Sequence, residues 1–120
     1  MASRAVLVAD DDRDVRTMVR TLLELDGHEV LEAPDGTVAW QLVVERRPAV
    51  VVTDVSMPGY NGLELCRRIK GDRLLTTQVI VYTAGMATEE ESQSAGCVAY
   101  LVKTDSVTRL RDTVRQYAGA

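Results

Sequence analysis

The sequence predicts an α/β domain in which a parallel sheet carries helices on both of its faces. Apolar segments of strand length alternate five times with segments of helical periodicity. The central apolar segment, residues 49–53, is rich in β-branched residues and resembles a strand that is buried on both faces. Parallel strands joined by helices require right-handed crossovers. We expect residues 1–120 to form a single domain.

Composition and charge limit the classes of function that are open to this chain. The net charge of -4 and the pI of about 4.9 argue against nonspecific binding to nucleic acid or to a membrane surface. No apolar run approaches the ~20 residues that span a bilayer, and the N-terminus lacks the pattern of a signal peptide. Cys66 and Cys97 lack metal-ligand spacing, so we interpret them as buried free thiols. These features predict a cytoplasmic protein.

The first half of the chain contains two strand–helix units. Residues 4–9 form a short apolar strand, and a helix follows that begins near Asp12 and ends at Gly27. Its apolar face has helical spacing and consists of Val15, Met18, Val19, Leu22 and Leu23. Residues 29–33 mix charged and apolar side chains, which is typical of an edge strand. Residues 37–47 fit either a hairpin strand or a helix, and we favour a helix that ends at Pro48, because parallel strands need crossovers.

The second half continues the alternation. A third helix has Leu65, Cys66 and Ile69 on its buried face, whereas its basic residues form a solvated face. Residues 78–82 and 98–102 are the fourth and fifth strands, and residues 107–117 form the last helix. The fourth helix falls in residues 87–95, which contain no large apolar side chain. We therefore expect that helix to pack weakly on the sheet.

Polar side chains follow four of the five strands at the point where each strand ends. These residues are Asp10 and Asp11, Asp54, Thr83, and Lys103. Because neighbouring parallel strands lie about 4.8 Å apart, the side chains should converge in one shallow pocket. Crowded carboxylates require a cation, and all-oxygen ligation suits Mg²⁺. A carboxylate nucleophile, a divalent metal, a lysine and a hydroxyl are the groups needed to form and hold an aspartyl phosphate.

Over its whole length, the chain resembles the receiver (CheY-like) domain of bacterial two-component response regulators. The matching residues are 8–12, Asp54 with Met57, Pro58 and Gly62 after it, Thr83 with Ala84, and 100–103. The resemblance implies a flavodoxin-like sheet with the strand order 2-1-3-4-5. It also implies that Asp54 is the phosphoacceptor and that Asp10 and Asp11 are the acidic pair, with Asp11 a direct Mg²⁺ ligand. Asp54 and the backbone carbonyl of Ser56 would complete the protein's share of the metal coordination.

The resemblance also assigns the phosphoryl contacts, the switch and the partners. Lys103 would pair with the phosphoryl group, Thr83 would hydrogen-bond to it, and Tyr100 would turn inward as Thr83 moves. The phosphodonor would be a phosphohistidine on a sensor histidine kinase or a phosphotransfer protein, and the surface of helix 4, strand 5 and helix 5 would meet an unknown effector. The domain would catalyse its own phosphorylation and slow dephosphorylation, without turnover of a separate substrate. A phosphorylation-dependent homodimer is left open.

One residue departs from the family pattern, and three other functions are alternatives to a phosphorylated receiver. Thr104 stands where the family usually has a proline, so we expect a trans peptide after Lys103. The main alternative is a degenerate receiver that binds partners without being phosphorylated. A haloacid-dehalogenase-type phosphohydrolase shares an Asp-x-Asp motif after a strand, but Asp14 stands where it needs Thr or Val, and 120 residues leave no room for a cap domain. A pure interaction module would not explain the polar strand ends.

Overall fold

The computed structural model describes residues 4–85 and 87–119 and has the predicted architecture. Its five strands are β1 (Val6–Ala9), β2 (Val30–Ala33), β3 (Val50–Thr53), β4 (Gln78–Thr83) and β5 (Ala99–Val102). All neighbouring strands are parallel and lie in the order β2-β1-β3-β4-β5. The predicted strand order is confirmed, and β2 is an edge strand as expected.

The helices are α1 (Arg13–Leu25), α2 (Gly36–Arg46), α3 (Gly62–Lys70), α4 (Glu89–Ser94) and α5 (Val107–Ala118). Two buried clusters cover the two faces of the sheet. Val51 of β3 belongs to the cluster that also holds the inner faces of α2 and α3. Val50 and Val52 belong to the other cluster, with the inner faces of α1 and α5. The side chains of β3 therefore alternate between two cores, which explains why this segment is apolar at every position.

The ambiguous segment after β2 is a helix, as we favoured. The side chain of Asp35 accepts a hydrogen bond from the backbone N–H of Val38, which caps the start of α2. The helix ends at Arg47, whose φ of 45° lies in the left-handed region, and Pro48 follows. Pro48 has no N–H and therefore cannot extend the helix.

Helix α4 is the shortest of the five helices. It has six residues, and a capping box between Thr88 and Glu91 closes its start. Its one buried side chain is Ser92, whose hydroxyl has no hydrogen-bond partner among the described residues. Ala87 and Ala95, which flank the helix, provide the apolar burial. The expected absence of a large apolar anchor in this helix is confirmed.

In the described part of the chain, no helix combines the length and apolar character needed to cross a membrane.

Candidate functional site

Three carboxylates meet at the carboxyl edge of the sheet. Ala9 and Thr53 are partners in the β1–β3 ladder, so Asp10 and Asp54 leave adjacent strands at the same level. The backbone N–H of Asp54 continues the ladder by donating to the carbonyl of Ala9 at 3.0 Å. One carboxylate oxygen from each of Asp10, Asp11 and Asp54 lies within 4.8 Å of the others. Asp10 and Asp54 are buried, at 2% and 8% exposure, whereas Asp11 is exposed.

Lys103 neutralises the two buried carboxylates together. Its backbone N–H donates to the carbonyl of Thr83 at 2.8 Å, which directs the chain back over the site after β5. Its Nζ lies 2.7 Å from Oδ2 of Asp10 and 2.9 Å from Oδ2 of Asp54. A single ammonium group therefore bridges the ends of β1 and β3 from the end of β5.

The electrostatics of the pocket follow from this bridge. Burial raises the pKa of Asp10, although the hydrogen bond and charge of Lys103 act in the opposite direction. Burial alone would lower the pKa of Lys103, but the two carboxylates outweigh it, and the pKa of this amine is raised. The lysine therefore remains a cation, and the surplus of negative charge makes the pocket receptive to a second cation.

Backbone donors hold the remaining oxygens of the buried pair. Oδ1 of Asp54 accepts from the N–H of Val55 at 2.7 Å, and Oδ1 of Asp10 accepts from the N–H of Asp12 at 2.9 Å. Asp12 itself caps α1 by accepting from the N–H groups of Asp14 and Val15. The run of three aspartates is therefore divided between pocket and helix cap. These contacts orient the carboxylates before any ligand binds.

The loop after Asp54 explains the glycine that follows the motif. A Cβ atom at Gly62 would overlap the backbone carbonyl of Asp54, so only glycine permits this approach. The N–H of Gly62 also donates to the carbonyl of Val55 at 2.9 Å. Ser56 is exposed in the same loop, two residues after Asp54. The loop therefore packs against the strand end and keeps Asp54 in place.

Thr83 and Tyr100 lie on the β4–β5 side of the pocket. Thr83 is fully buried at the end of β4 and is the ladder partner of Val102, the residue before Lys103. Tyr100 is half-buried on β5, and its hydroxyl donates to the carbonyl of Ala87 at 2.7 Å. Tyr100 is therefore tied to the segment that connects β4 to α4.

The donor set fits a hard divalent cation. Carboxylate oxygens are the ligands that Mg²⁺ prefers, and three of them are close enough to share one ion. Asp11 adds an exposed carboxylate, so an ion bound there would face solvent and could keep part of its water shell. The peptide bonds of the described residues are all trans, including the bond to Thr104, so the residue in place of proline does not displace Lys103 from the pocket.

Sequence reasoning missed two sets of contacts, one at the acidic pair and one between the cysteines. Nη1 of Arg16 donates to the backbone carbonyl of Asp10 at 2.6 Å, and its Nε lies 3.5 Å from Glu32, so α1 and β2 both brace the acidic pair. Cys66 and Cys97 are both buried, as expected, but their sulfur atoms lie 3.1 Å apart. Nothing in a separation of 31 residues indicates such a contact.

Comparisons with known proteins agree with this geometry. The family model of the response regulator receiver domain matches residues 6–115. The phosphate regulon transcriptional regulatory protein PhoB of Pseudomonas aeruginosa is 31% identical over 97% of this chain, which covers 54% of that protein. The polar-differentiation response regulator DivK of Brucella anthropi is 29% identical over 97% of both chains. This chain thus spans about half of PhoB and nearly all of DivK.

A solved structure is similar over the same extent. The response regulator protein TrrA from Thermotoga maritima, in complex with Mg²⁺-BeF, superposes with a TM-score of 0.85 at 26% identity, covering 98% of this chain and 99% of that one. The match of the family model to most of the chain, together with the pocket at the sheet edge, leads to one conclusion. The chain belongs to the response regulator receiver domain family of two-component signalling.

Proposed function

We propose that this domain accepts a phosphoryl group on Asp54 from the phosphohistidine of a sensor histidine kinase or a phosphotransfer protein. The observation that carries the proposal is the buried carboxylate of Asp54 at the end of the central strand, 2.9 Å from the ammonium of Lys103 and within 4.8 Å of the acidic pair. We place the domain in the cytoplasm, as the sequence predicts.

The residues divide the chemistry of this transfer among them. A carboxylate oxygen of Asp54 attacks phosphorus, the phosphorus–nitrogen bond breaks, and the imidazole of the donor leaves. Lys103 is close enough to move from the carboxylates to a phosphoryl oxygen and to stabilise its charge. Mg²⁺ held by Asp10, Asp11, Asp54 and the carbonyl of Ser56 would supply further positive charge for these oxygens. Thr83 would donate its hydroxyl to another of them.

Labelling from a small acyl phosphate tests the acceptor residue. With acetyl phosphate and Mg²⁺, the parent protein should acquire one phosphoryl group that is labile to acid and to base, and Asp54→Asn should acquire none, because an amide is not a nucleophile. Asp112→Asn is the matched control, since Asp112 is an exposed aspartate on α5. Full labelling of Asp54→Asn would reassign the site. Absence of labelling in the parent protein would favour a degenerate receiver that works without phosphorylation.

The response to phosphorylation would begin at Thr83 and end at the face of α4, β5 and α5. A phosphoryl group that draws in the hydroxyl of Thr83 would vacate space beside β4, and Tyr100 would give up its bond to Ala87 to enter that space. The segment that must yield contains α4, which has no large apolar anchor and buries a serine hydroxyl without a partner among the described residues. Elements of low local stability are those that move in switching.

Hydrogen exchange tests the proposed switch. Amides in residues 84–97 should exchange much faster than those of α1 in the unphosphorylated protein, and their protection should change when beryllofluoride and Mg²⁺ are added. The shift needs only a few kcal/mol of differential interaction. Equal protection of both segments, together with no response to beryllofluoride, would exclude this mechanism.

A further inference from the structure

Two cysteines from distant parts of the chain meet beneath α4. Cys66 lies on the inner face of α3 and is fully buried, and Cys97 follows α4 in the turn before β5 with 8% exposure. Their Sγ atoms are 3.1 Å apart, and both thiols are free. Sulfur atoms at this separation need only a small movement to form a bond, which brings them to about 2 Å.

Hydrogen bonding and nearby charge make the two thiols unequal. The thiol of Cys97 donates to the sulfur of Cys66, and this hydrogen bond is the main cause that lowers the pKa of Cys66. Burial opposes the effect, whereas the charges of Lys70 and Arg67 add to it. The same hydrogen bond raises the pKa of Cys97, so Cys66 is the sulfur of the pair that ionises more readily. Lys70 and Arg67 place positive charge near the pair, but both sulfurs are buried, so an oxidant reaches them only when the structure above them opens.

The pair also lies at the end of the element that is proposed to move. Sγ of Cys66 donates to the carbonyl of Ala95, which is the C-cap of α4, at 3.3 Å. The backbone N–H of Cys97 donates to the carbonyl of Ser92 at 3.1 Å. A covalent bond between the sulfurs would therefore tie the end of α4 to α3.

We propose that Cys66 and Cys97 form an oxidation site that a hydroperoxide converts into an intramolecular disulfide, which tethers the end of α4 to α3. With hydrogen peroxide, Cys66 first loses its proton, and its thiolate attacks one peroxide oxygen. The O–O bond breaks, Cys66 becomes a sulfenic acid, and the other oxygen leaves as hydroxide, which takes up the released proton to form water. The sulfur of Cys97 then attacks the sulfur of Cys66, the S–O bond breaks, and a second water leaves with the thiol proton. With hydrogen peroxide as oxidant, two thiols and one peroxide give one disulfide and two waters.

The peroxide reaches these buried sulfurs when α4 opens. Ser92 lies on the buried face of α4, where its hydroxyl has no hydrogen-bond partner among the described residues. When α4 opens, this hydroxyl can bond to water, which lowers the free energy needed to open that face. Gly96 permits the turn, with φ at +101°, and Lys70 packs against it. The oxidation rate is therefore set by the opening of a single short helix, and unfolding of the whole domain is not required.

The direct test is oxidation of the parent protein with hydrogen peroxide, followed by peptide mapping without reduction. We expect the intact mass to fall by two hydrogen atoms, the Cys66 and Cys97 peptides to be cross-linked within one chain, and dithiothreitol to restore both thiols. Free thiols after treatment, separate sulfinic acids, or disulfides between two chains would each overturn the proposal. The assay contains no phosphodonor, so its result does not depend on the proposed function of Asp54.

The tether is tested by hydrogen exchange on the oxidised protein. Amides of residues 92–97 should exchange at least tenfold more slowly than in the reduced protein, whereas α1 should change little, because α1 lies on the other face of the sheet. Cys97→Ser treated with the same peroxide is the control, and it should show neither the mass loss nor the slower exchange. If this variant fails to fold, the reduced parent protein provides the reference. Unchanged exchange at 92–97 in the disulfide form would refute the tether.

Discussion

Replacement of Lys103 by methionine removes the cation on which the pocket depends. Lys103 bridges Asp10 and Asp54 at 2.7 and 2.9 Å, and the side chains of these aspartates are 3% and 10% exposed. Removal of one partner from a buried ion pair costs about 3–5 kcal/mol, because the other charge is left unpaired. The side chain of Lys103 is itself 19% exposed, so water replaces part of the lost interaction. We expect Lys103→Met to lower the free energy of unfolding by about 2–3 kcal/mol at neutral pH, which is below that range because of the partial exposure.

The pH dependence of this loss has a definite sign. Burial already raises the pKa of Asp10, and removal of the ammonium raises it further. A carboxyl whose pKa is higher in the folded state takes up a proton there more readily than in the unfolded chain, so lower pH favours folding. The difference in free energy of unfolding between the variant and the parent should therefore narrow as the pH falls from about 7.5 towards about 5. Added Mg²⁺ should also reduce the difference, since it replaces the missing positive charge.

Urea denaturation followed by circular dichroism measures these free energies, with and without Mg²⁺. Lys70→Met is the matched control, because Lys70 is the only other lysine of the chain and is exposed. We expect that control to change stability by less than about 1 kcal/mol at every pH. If Lys103→Met is as stable as the parent without Mg²⁺ at neutral pH, the bridge does not neutralise the buried carboxylates and the electrostatic account of the pocket is wrong.

Three further predictions concern Asp11, the Arg111–Asp26 ion pair and Ser92. Asp11→Asn should remove most of the calorimetric heat of Mg²⁺ binding, because Asp11 is the exposed carboxylate of the cluster; unchanged heat would place the ion elsewhere. Arg111 donates to both oxygens of Asp26 at 2.9 and 2.6 Å and lowers the pKa of Asp26. Asp26→Asn should therefore lower the free energy of unfolding at neutral pH, and the difference in stability from the parent should be lost as the pH falls through that lowered pKa. A loss of stability that is independent of pH in urea titrations would contradict this. Ser92→Ala removes a buried hydroxyl that lacks a partner among the described residues and should stabilise α4 by about 1 kcal/mol, visible as roughly fivefold slower exchange of amides 89–97; faster exchange would show that the hydroxyl is satisfied.

Local patterns in the chain determined the elements and their order. The spacing of apolar residues in α1 and the unbroken apolar run of β3 can be read without tertiary information, because side-chain direction repeats with the period of each element. The strand order followed from the family resemblance, and the convergence of Asp10, Asp54 and Lys103 followed from their positions at strand ends. Segment 37–47 showed the limit of such patterns, because its apolar residues fit both periods and only the need for a crossover decided between them.

The tertiary structure alone decided which atoms meet within the pocket and beneath α4. The position of Lys103 at a strand end predicted that it lies at the site. Its contact with both Asp10 and Asp54 depends on the path of the chain after β5, which only the structure shows. Arg16 reaches the carbonyl of Asp10 because α1 packs against the β1–β2 edge. Cys66 and Cys97 meet because α3 and the turn after α4 cover the same face of the sheet. Contacts of this kind join residues that are distant in sequence, and no local periodicity records them, because they arise only when separate elements pack on one sheet.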